Sequence, residues 1–136
     1  MRYYNILHNY IMNLIKNIIE NNKTEKESRP WGSYYTLIKE DNILVKVIVV
    51  DKKSRLSLQS HESRSEIWLV VNGSGKAYFA GSEKEISIGD IITIGIKEKH
   101  RIINDTDSEL YILEIQHGSC IDENDIIRYE DDYKRV

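Results

Sequence analysis

The chain predicts an all-β sandwich or barrel carrying one N-terminal amphipathic helix, on three observations. From Tyr34 onward, short runs rich in β-branched and aromatic residues alternate with stretches of Gly, Asn, Asp and Ser, the pattern of strands joined by turns. Before residue 29 the apolar residues instead recur every three to four positions, the period of a helix. Gln59, His61, Glu66 and His100 fall on or beside the β-rich runs, and residues one apart on a strand project from the same face.

Length and charge bound the reading. At 136 residues with net charge −3, the chain suits one domain with one core, and no basic excess points to nucleic acid. Cys120 is the one cysteine, so neither an internal disulfide nor a thiolate metal site can form, and a reducing cytoplasm is the expected setting.

Residues 1–28 read as a helix and a polar linker, and residues 29–136 as the folded domain. In the helix, Ile6/Leu7, Tyr10/Ile11, Leu14/Ile15 and Ile18/Ile19 alternate with Asn, Lys and His, giving one continuous apolar face. Those polar interruptions argue against a secretory signal and a membrane span. A polar face of Asn rather than Lys or Arg argues against a membrane-surface helix. The face is expected to pack on its own domain or on a partner subunit, and an apolar helix face together with a sheet edge points to a homodimer. Residues 21–28 have no periodicity and read as linker.

Arg29-Pro-Trp-Gly-Ser-Tyr-Tyr35 holds the sole Pro and one of two Trp, and is expected to anchor the chain before the first strand. Strands are then expected at Tyr34–Lys39, Ile43–Asp51, Leu56–Gln59, Glu66–Val71, Gly75–Ala80, Lys84–Ile88, Ile91–Ile94, Arg101–Ile103 and Glu109–Gln116. Asn72-Gly-Ser-Gly75 and Gly89-Asp90 are turns whose glycines permit positive φ. Trp68 reads as core; His8, His117 and Cys120 receive no role.

Gln59 and His61 share a strand face, Glu66 falls on the following strand, and His100 opens a later apolar run. An amide oxygen, two imidazoles and a carboxylate form a mixed nitrogen and oxygen set for a divalent ion: zinc foremost, with manganese, iron or nickel as further candidates.

The spacing of Gln59, His61, Glu66 and Gly73, then of Gly89, Gly95, His100 and Asn104, resembles both halves of the cupin signature. Gln59 stands where that signature has its first His, Gly95 where it has Pro, and Lys97 where it has Gly. The resemblance implies a double-stranded β-helix, or jelly-roll barrel.

Arg29-Pro-Trp-Gly-Ser-Tyr, Val45-Lys46, Arg55-Leu-Ser-Leu-Gln-Ser-His61, Arg64-Ser-Glu66, Trp68, Glu114-Ile-Gln116, Gly118, Asp125-Ile-Ile-Arg128 and Asp131-Asp-Tyr133 resemble, more narrowly, the type II mannose-6-phosphate isomerase domain. That domain is commonly fused behind a mannose-1-phosphate guanylyltransferase; no Gly-rich nucleotide loop occurs near residue 1 here, so the isomerase domain is expected alone. The resemblance implies interconversion of mannose 6-phosphate and fructose 6-phosphate, feeding GDP-mannose and polysaccharide synthesis. It also carries Gln59, His61, Glu66 and His100 over as metal positions. Glu62, Ser63 and Ile67 stand where the family tends to place histidines, and Val47 where it places Arg, so a sugar-phosphate-binding cupin of weakened activity is the alternative.

The chemistry is consistent with an isomerase. A proton must leave the carbon next to a carbonyl and return to its neighbour, and a divalent ion stabilises the oxygen charge that develops. A sugar phosphate as partner needs fixed cations; Arg64 and Arg128, with Lys46 third, are the candidates, since guanidinium binds phosphate bidentately. The sequence singles out no general base.

Overall fold

The structure is a computed structural model that describes residues 2–21 and 24–135. Met1 and Asn22, the ends of the expected helical unit, lie outside the described residues, as do Lys23 and Val136. A helix, α1 (Arg2–Asn21), is followed by strands β1 (Lys26–Arg29), β2 (Gly32–Lys39), β3 (Ile43–Val50), β4 (Ser54–Arg55), β5 (Leu58–Ser60) and β6 (Arg64–Asn72). The chain continues through β7 (Ser74–Phe79), β8 (Ser82–Ser87), β9 (Ile91–Ile94), β10 (Arg101–Asn104), β11 (Leu110–Gly118) and β12 (Ile127–Glu130).

All strand pairs are antiparallel. One sheet runs β1-β2-β3-β11-β6-β9, a second β4-β10-β7-β8, and β12 pairs with β5. A bridge between Gln59 and His100 ties β5 to the entry of β10. The core lies between the two larger sheets: Ile48, Trp68, Val70 and Ile112 come from one, Ala77, Ile86 and Ile102 from the other. Alternation builds it, because β6 and β11 present every second side chain inward.

Strand β3 does not alternate: from Lys46 to Val50 every residue is buried. Ile48 and Val50 face the main core, whereas Val47 and Val49 meet Met12 and Ile15 of α1 in a second cluster. A strand covered on both faces reads as a continuous apolar run, which is why Ile43–Asp51 has no polar side. Val47 is fully buried beneath this helix, where a guanidinium would lose its hydration.

The helix packs on its own domain through Met12, Ile15 and their neighbours Ile11 and Ile19, while Tyr3, Ile6, Leu7, Tyr10 and Leu14 are exposed. Two expectations need correction. Residues 26–28, read as linker, belong to β1, because their backbone pairs with β2 through Arg29↔Gly32 and Lys26↔Tyr35. Gly75 serves close approach rather than positive φ, since a Cβ there would fall 2.4 Å from the Ile103 carbonyl oxygen. Strand β12 was not expected either, because an alternation of only four residues, Ile127-Arg-Tyr-Glu130, is too short to stand out.

Candidate metal centre and basic cavity

His61 follows β5 and Glu66 lies on β6, joined by a turn that the C-terminal segment clamps. The Asp125 carboxylate accepts from the Glu62 and Ser63 amides at 2.8 and 3.0 Å, and these bonds hold its carboxyl below the usual range against the opposing effect of burial. Gly118 lets the end of β11 lie on this turn, since a Cβ there would come 2.2 Å from the Ser63 carbonyl oxygen. His100 enters beside Gln59 through paired backbone hydrogen bonds of 2.9 and 3.0 Å.

The result is a buried group of His61, Glu66 and His100 whose ligand atoms all lie within 4.8 Å of one another. His61 Nε2 is 3.0 Å from Glu66 Oε1, and His100 Nε2 is 3.7 Å from Oε2. Gln59 lines the same cavity; its amide nitrogen points to the Ser57 carbonyl at 3.4 Å, which leaves the oxygen as its free end. Gln59, Glu66 and His100 thus line one cavity, and His61 stands beside Glu66.

The donor set fits a divalent ion. His61 Nδ1 donates to the Asp125 carbonyl at 2.6 Å and His100 Nδ1 to the Glu98 carbonyl at 2.8 Å, so in the neutral rings both Nε2 lone pairs face Glu66. Such backing hydrogen bonds orient metal-binding imidazoles. Burial lowers the His100 pKa, with Glu66 opposing, which favours the neutral ring. Burial alone would raise Glu66, yet the hydrogen bond that His61 gives when its ring is protonated and the positive charges around it, Arg64 among them, outweigh it and hold the carboxylate ionised. Trp68, expected only as core, donates from Nε1 to Glu66 Oε2 at 3.0 Å.

Arg64 is drawn into this group. Its Nε and Nη2 each lie 3.4 Å from Glu66 Oε1, and Nη2 is 3.2 Å from His61 Nε2. Lys46 reaches Glu123 at 3.1 Å over the face of Tyr34. Arg128, on β12 opposite Gln59, lines the cavity without a hydrogen bond from its buried Nε. Glu62, Ser63 and Ile67, the departures from the family pattern, are not among the residues lining the cavity.

Two lining residues had been quoted only as part of a resemblance. On β11, Leu110 and Ile112 point inward into the core, and Glu114 and Gln116 continue that buried face into the cavity. Gln116 donates to Glu114 Oε1, leaving its own Oε1 buried without a partner. Burial first, and Glu66 second, push the Glu114 carboxyl up to about 8, so it is protonated at neutral pH. Two polar residues interrupting an inward-facing apolar alternation were the available signal.

Residues 16–131 match the family described as Mannose-6-phosphate isomerase C-terminal. The chain belongs to this family. A mannose-1-phosphate guanylyltransferase of Escherichia coli is 35% identical over 108 residues, covering 79% of this chain and 23% of that protein. The alginate biosynthesis protein AlgA of Pseudomonas putida is 34% identical over 131 residues, covering 93% of this chain and 27% of its own length. The chain thus spans about a quarter of the length of these curated relatives. A cupin-2 domain from Rhodospirillum rubrum superposes with a TM-score of 0.61 at 17% identity over 75% of each chain, and the fold is accordingly the cupin double-stranded β-helix. No described helix is long and apolar enough to cross a membrane.

Proposed function

We propose that this chain interconverts mannose 6-phosphate and fructose 6-phosphate with a divalent ion, zinc foremost, in the cytoplasm, and so supplies GDP-mannose for polysaccharide synthesis. The observation that carries the reading is a buried His61–Glu66–His100 group, of which Glu66 and His100 line a cavity that also carries basic side chains. Membership of the isomerase family supports it. So do relatives named for mannose-1-phosphate guanylyltransferase and alginate biosynthesis.

Gln59, His61, Glu66 and His100 would hold the ion, which when bound acts as a Lewis acid toward the substrate's carbonyl oxygen. The chain's own groups do the rest. Trp68 and Arg64 keep Glu66 ionised and aimed at the site. Gln116 Oε1, an acceptor with no partner in the protein, is placed to receive a sugar hydroxyl. Glu114 lines the same cavity without serving as a proposed ligand, and in its ionised form, which a pKa of about 8 leaves as a minor fraction at neutral pH, it is the carboxyl we assign to take the proton from one carbon and return it to the next. Basic residues lining the cavity receive the phosphate.

A coupled assay with mannose 6-phosphate tests this directly. Turnover should vanish with chelator and return with added metal, and Glu114→Gln should lower kcat by about a hundredfold or more while leaving KM little changed. Absence of turnover with zinc, manganese, iron and nickel alike would overturn the isomerase reading in favour of a sugar-phosphate-binding cupin.

A further inference from the structure

The basic residues lining the cavity differ in what they already hold. Lys46 pairs with Glu123 at 3.1 Å, Arg64 with Glu66 at 3.4 Å, Arg101 with Glu130 at 3.2 Å and Arg135 with Asp131 at 2.7 Å. Arg29 reaches Glu27 at 3.8 Å and donates to the Tyr34 hydroxyl at 3.1 Å. Arg128 differs from all of these: among the described residues its guanidinium makes no ion pair, and its Nε is buried without a hydrogen-bond partner.

Its surroundings sharpen the contrast. Arg135 and Arg29 bear on Arg128 as like charges, and Asp131 is the acid that opposes them. Asp131 is already committed, with both carboxylate oxygens taken by the Arg135 side chain at 2.7 and 3.0 Å and by the Tyr133 and Arg135 amides. A buried donor left unsatisfied costs free energy that an incoming acceptor recovers. A planar guanidinium that shares a cavity with two others is suited to an oxyanion with several acceptor oxygens.

We infer that Arg128, flanked by Arg29 and Arg135, is the oxyanion subsite of this cavity and takes the phosphate of a phosphorylated sugar. Arg64 and Lys46 remain with the acids they already hold. The inference rests on the sugar-phosphate reading of the same site and deepens it. It assigns Arg29 and Arg135 to ligand binding and moves Arg64 from the phosphate to the metal wall. Because Arg128 stands opposite Gln59 in the β12–β5 ladder, a phosphate held there leaves the far end of the ligand to reach the His61–Glu66–His100 wall.

The test is binding without turnover. The full-length chain is titrated, with chelator present, with inorganic phosphate, mannose 6-phosphate, unphosphorylated mannose and malonate, by calorimetry and thermal shift. Phosphate and mannose 6-phosphate should bind and raise Tm, and mannose and malonate should do so far less. Arg128→Gln should weaken phosphate binding about tenfold or more, near 1.4 kcal/mol. Arg29→Gln should weaken it less, and Arg64→Gln should leave it within about twofold. Should Arg128→Gln fail to fold, Arg128→Lys keeps the charge but loses the fork, and a severalfold weakening is expected.

No phosphate binding by the unaltered protein, equal affinity in the Arg128 variants, or malonate binding as tight as phosphate would each overturn the subsite. Phosphate binding through Arg128 without isomerisation would overturn the proposed activity and keep the subsite. Isomerisation with a KM indifferent to Arg128 would do the reverse.

Discussion

Trp68 Nε1 donates to Glu66 Oε2 at 3.0 Å from a ring that is only 1% exposed. One side chain thus belongs both to the hydrophobic core and to the proposed metal wall. Its bond fixes one carboxylate oxygen while the other faces His61 and Arg64. Trp68→Phe keeps an aromatic ring in the core and deletes the donor. Affinity for zinc is expected to fall about ten- to a hundredfold, the usual loss when a partner behind a ligand is removed. Competition with a chromogenic chelator measures it; unchanged affinity would count against this role for Trp68.

The purified protein is expected to carry about one divalent ion per chain, in keeping with a single wall of ligands. His61→Ala or His100→Ala should each lose it sharply, because each removes a nitrogen that a backbone carbonyl has already oriented. Elemental analysis after gel filtration gives the stoichiometry. Full occupancy in the double variant would remove the cage from the argument.

Acid sensitivity should centre on the C-terminal segment. Hydrogen bonds from the Arg135 side chain, chiefly, lower Asp131 from 3.8 to about 2. A carboxyl with a depressed folded pKa stabilises the fold fully above its unfolded pKa and loses that contribution as pH falls through the folded one. The contribution should therefore fade between about pH 4 and pH 2. Asp131→Asn should cost about 1–2 kcal/mol at pH 7 and flatten the slope in that window, as read by urea denaturation at stepped pH. The same slope in both proteins would assign the acid sensitivity elsewhere.

Ile15→Ala should destabilise the fold by about 2–4 kcal/mol, because Ile15 is buried with Met12 against Val47 and Val49. Leu7→Ala, with Leu7 58% exposed, should change monomer stability by less than about 0.5 kcal/mol. Chemical denaturation of both variants at low protein concentration separates a docked helix from one that merely lies near the sheet.

Tyr3, Leu7, Tyr10 and Leu14 are exposed along one line of α1 at the alternating three- and four-residue spacing of a helix-pairing seam. We propose that this line meets its copy in a homodimer. Light scattering at tens of micromolar should give twice the chain mass of 16.0 kDa, and Leu7→Glu with Tyr10→Glu should return a monomer. A monomeric mass for the unaltered protein would exclude the pairing.

Much of this architecture is local in origin and was legible along the chain. Strand periodicity, Gly and Asn turns, and the helical period before residue 29 are properties of neighbouring residues, and they anticipated α1, β2, β3 and β5 to β11 to within a few positions; the two-residue β4, just before the Leu56–Gln59 run, was not anticipated. The spacing of His61, Glu66 and His100 was legible for the same reason: a strand repeats every two residues, so sequence offsets determine which side chains share a face. Strands β1 and β12 escaped notice because segments of four residues, all polar in β1, acquire a sheet conformation only from the strand they pair with.

What remained belonged to tertiary structure. Charge alone ranked Arg64, Arg128 and Lys46 together, and only folding gave Arg64 and Lys46 acidic partners while leaving Arg128 without one. Glu114 gained its raised pKa from burial and from Glu66 on the adjacent strand, an environment assembled by residues far apart in the chain. Side-chain type and spacing are written locally in the sequence. Desolvation and charge pairing depend on which distant segments close over a group, and those decide which of several chemically similar residues is free to bind.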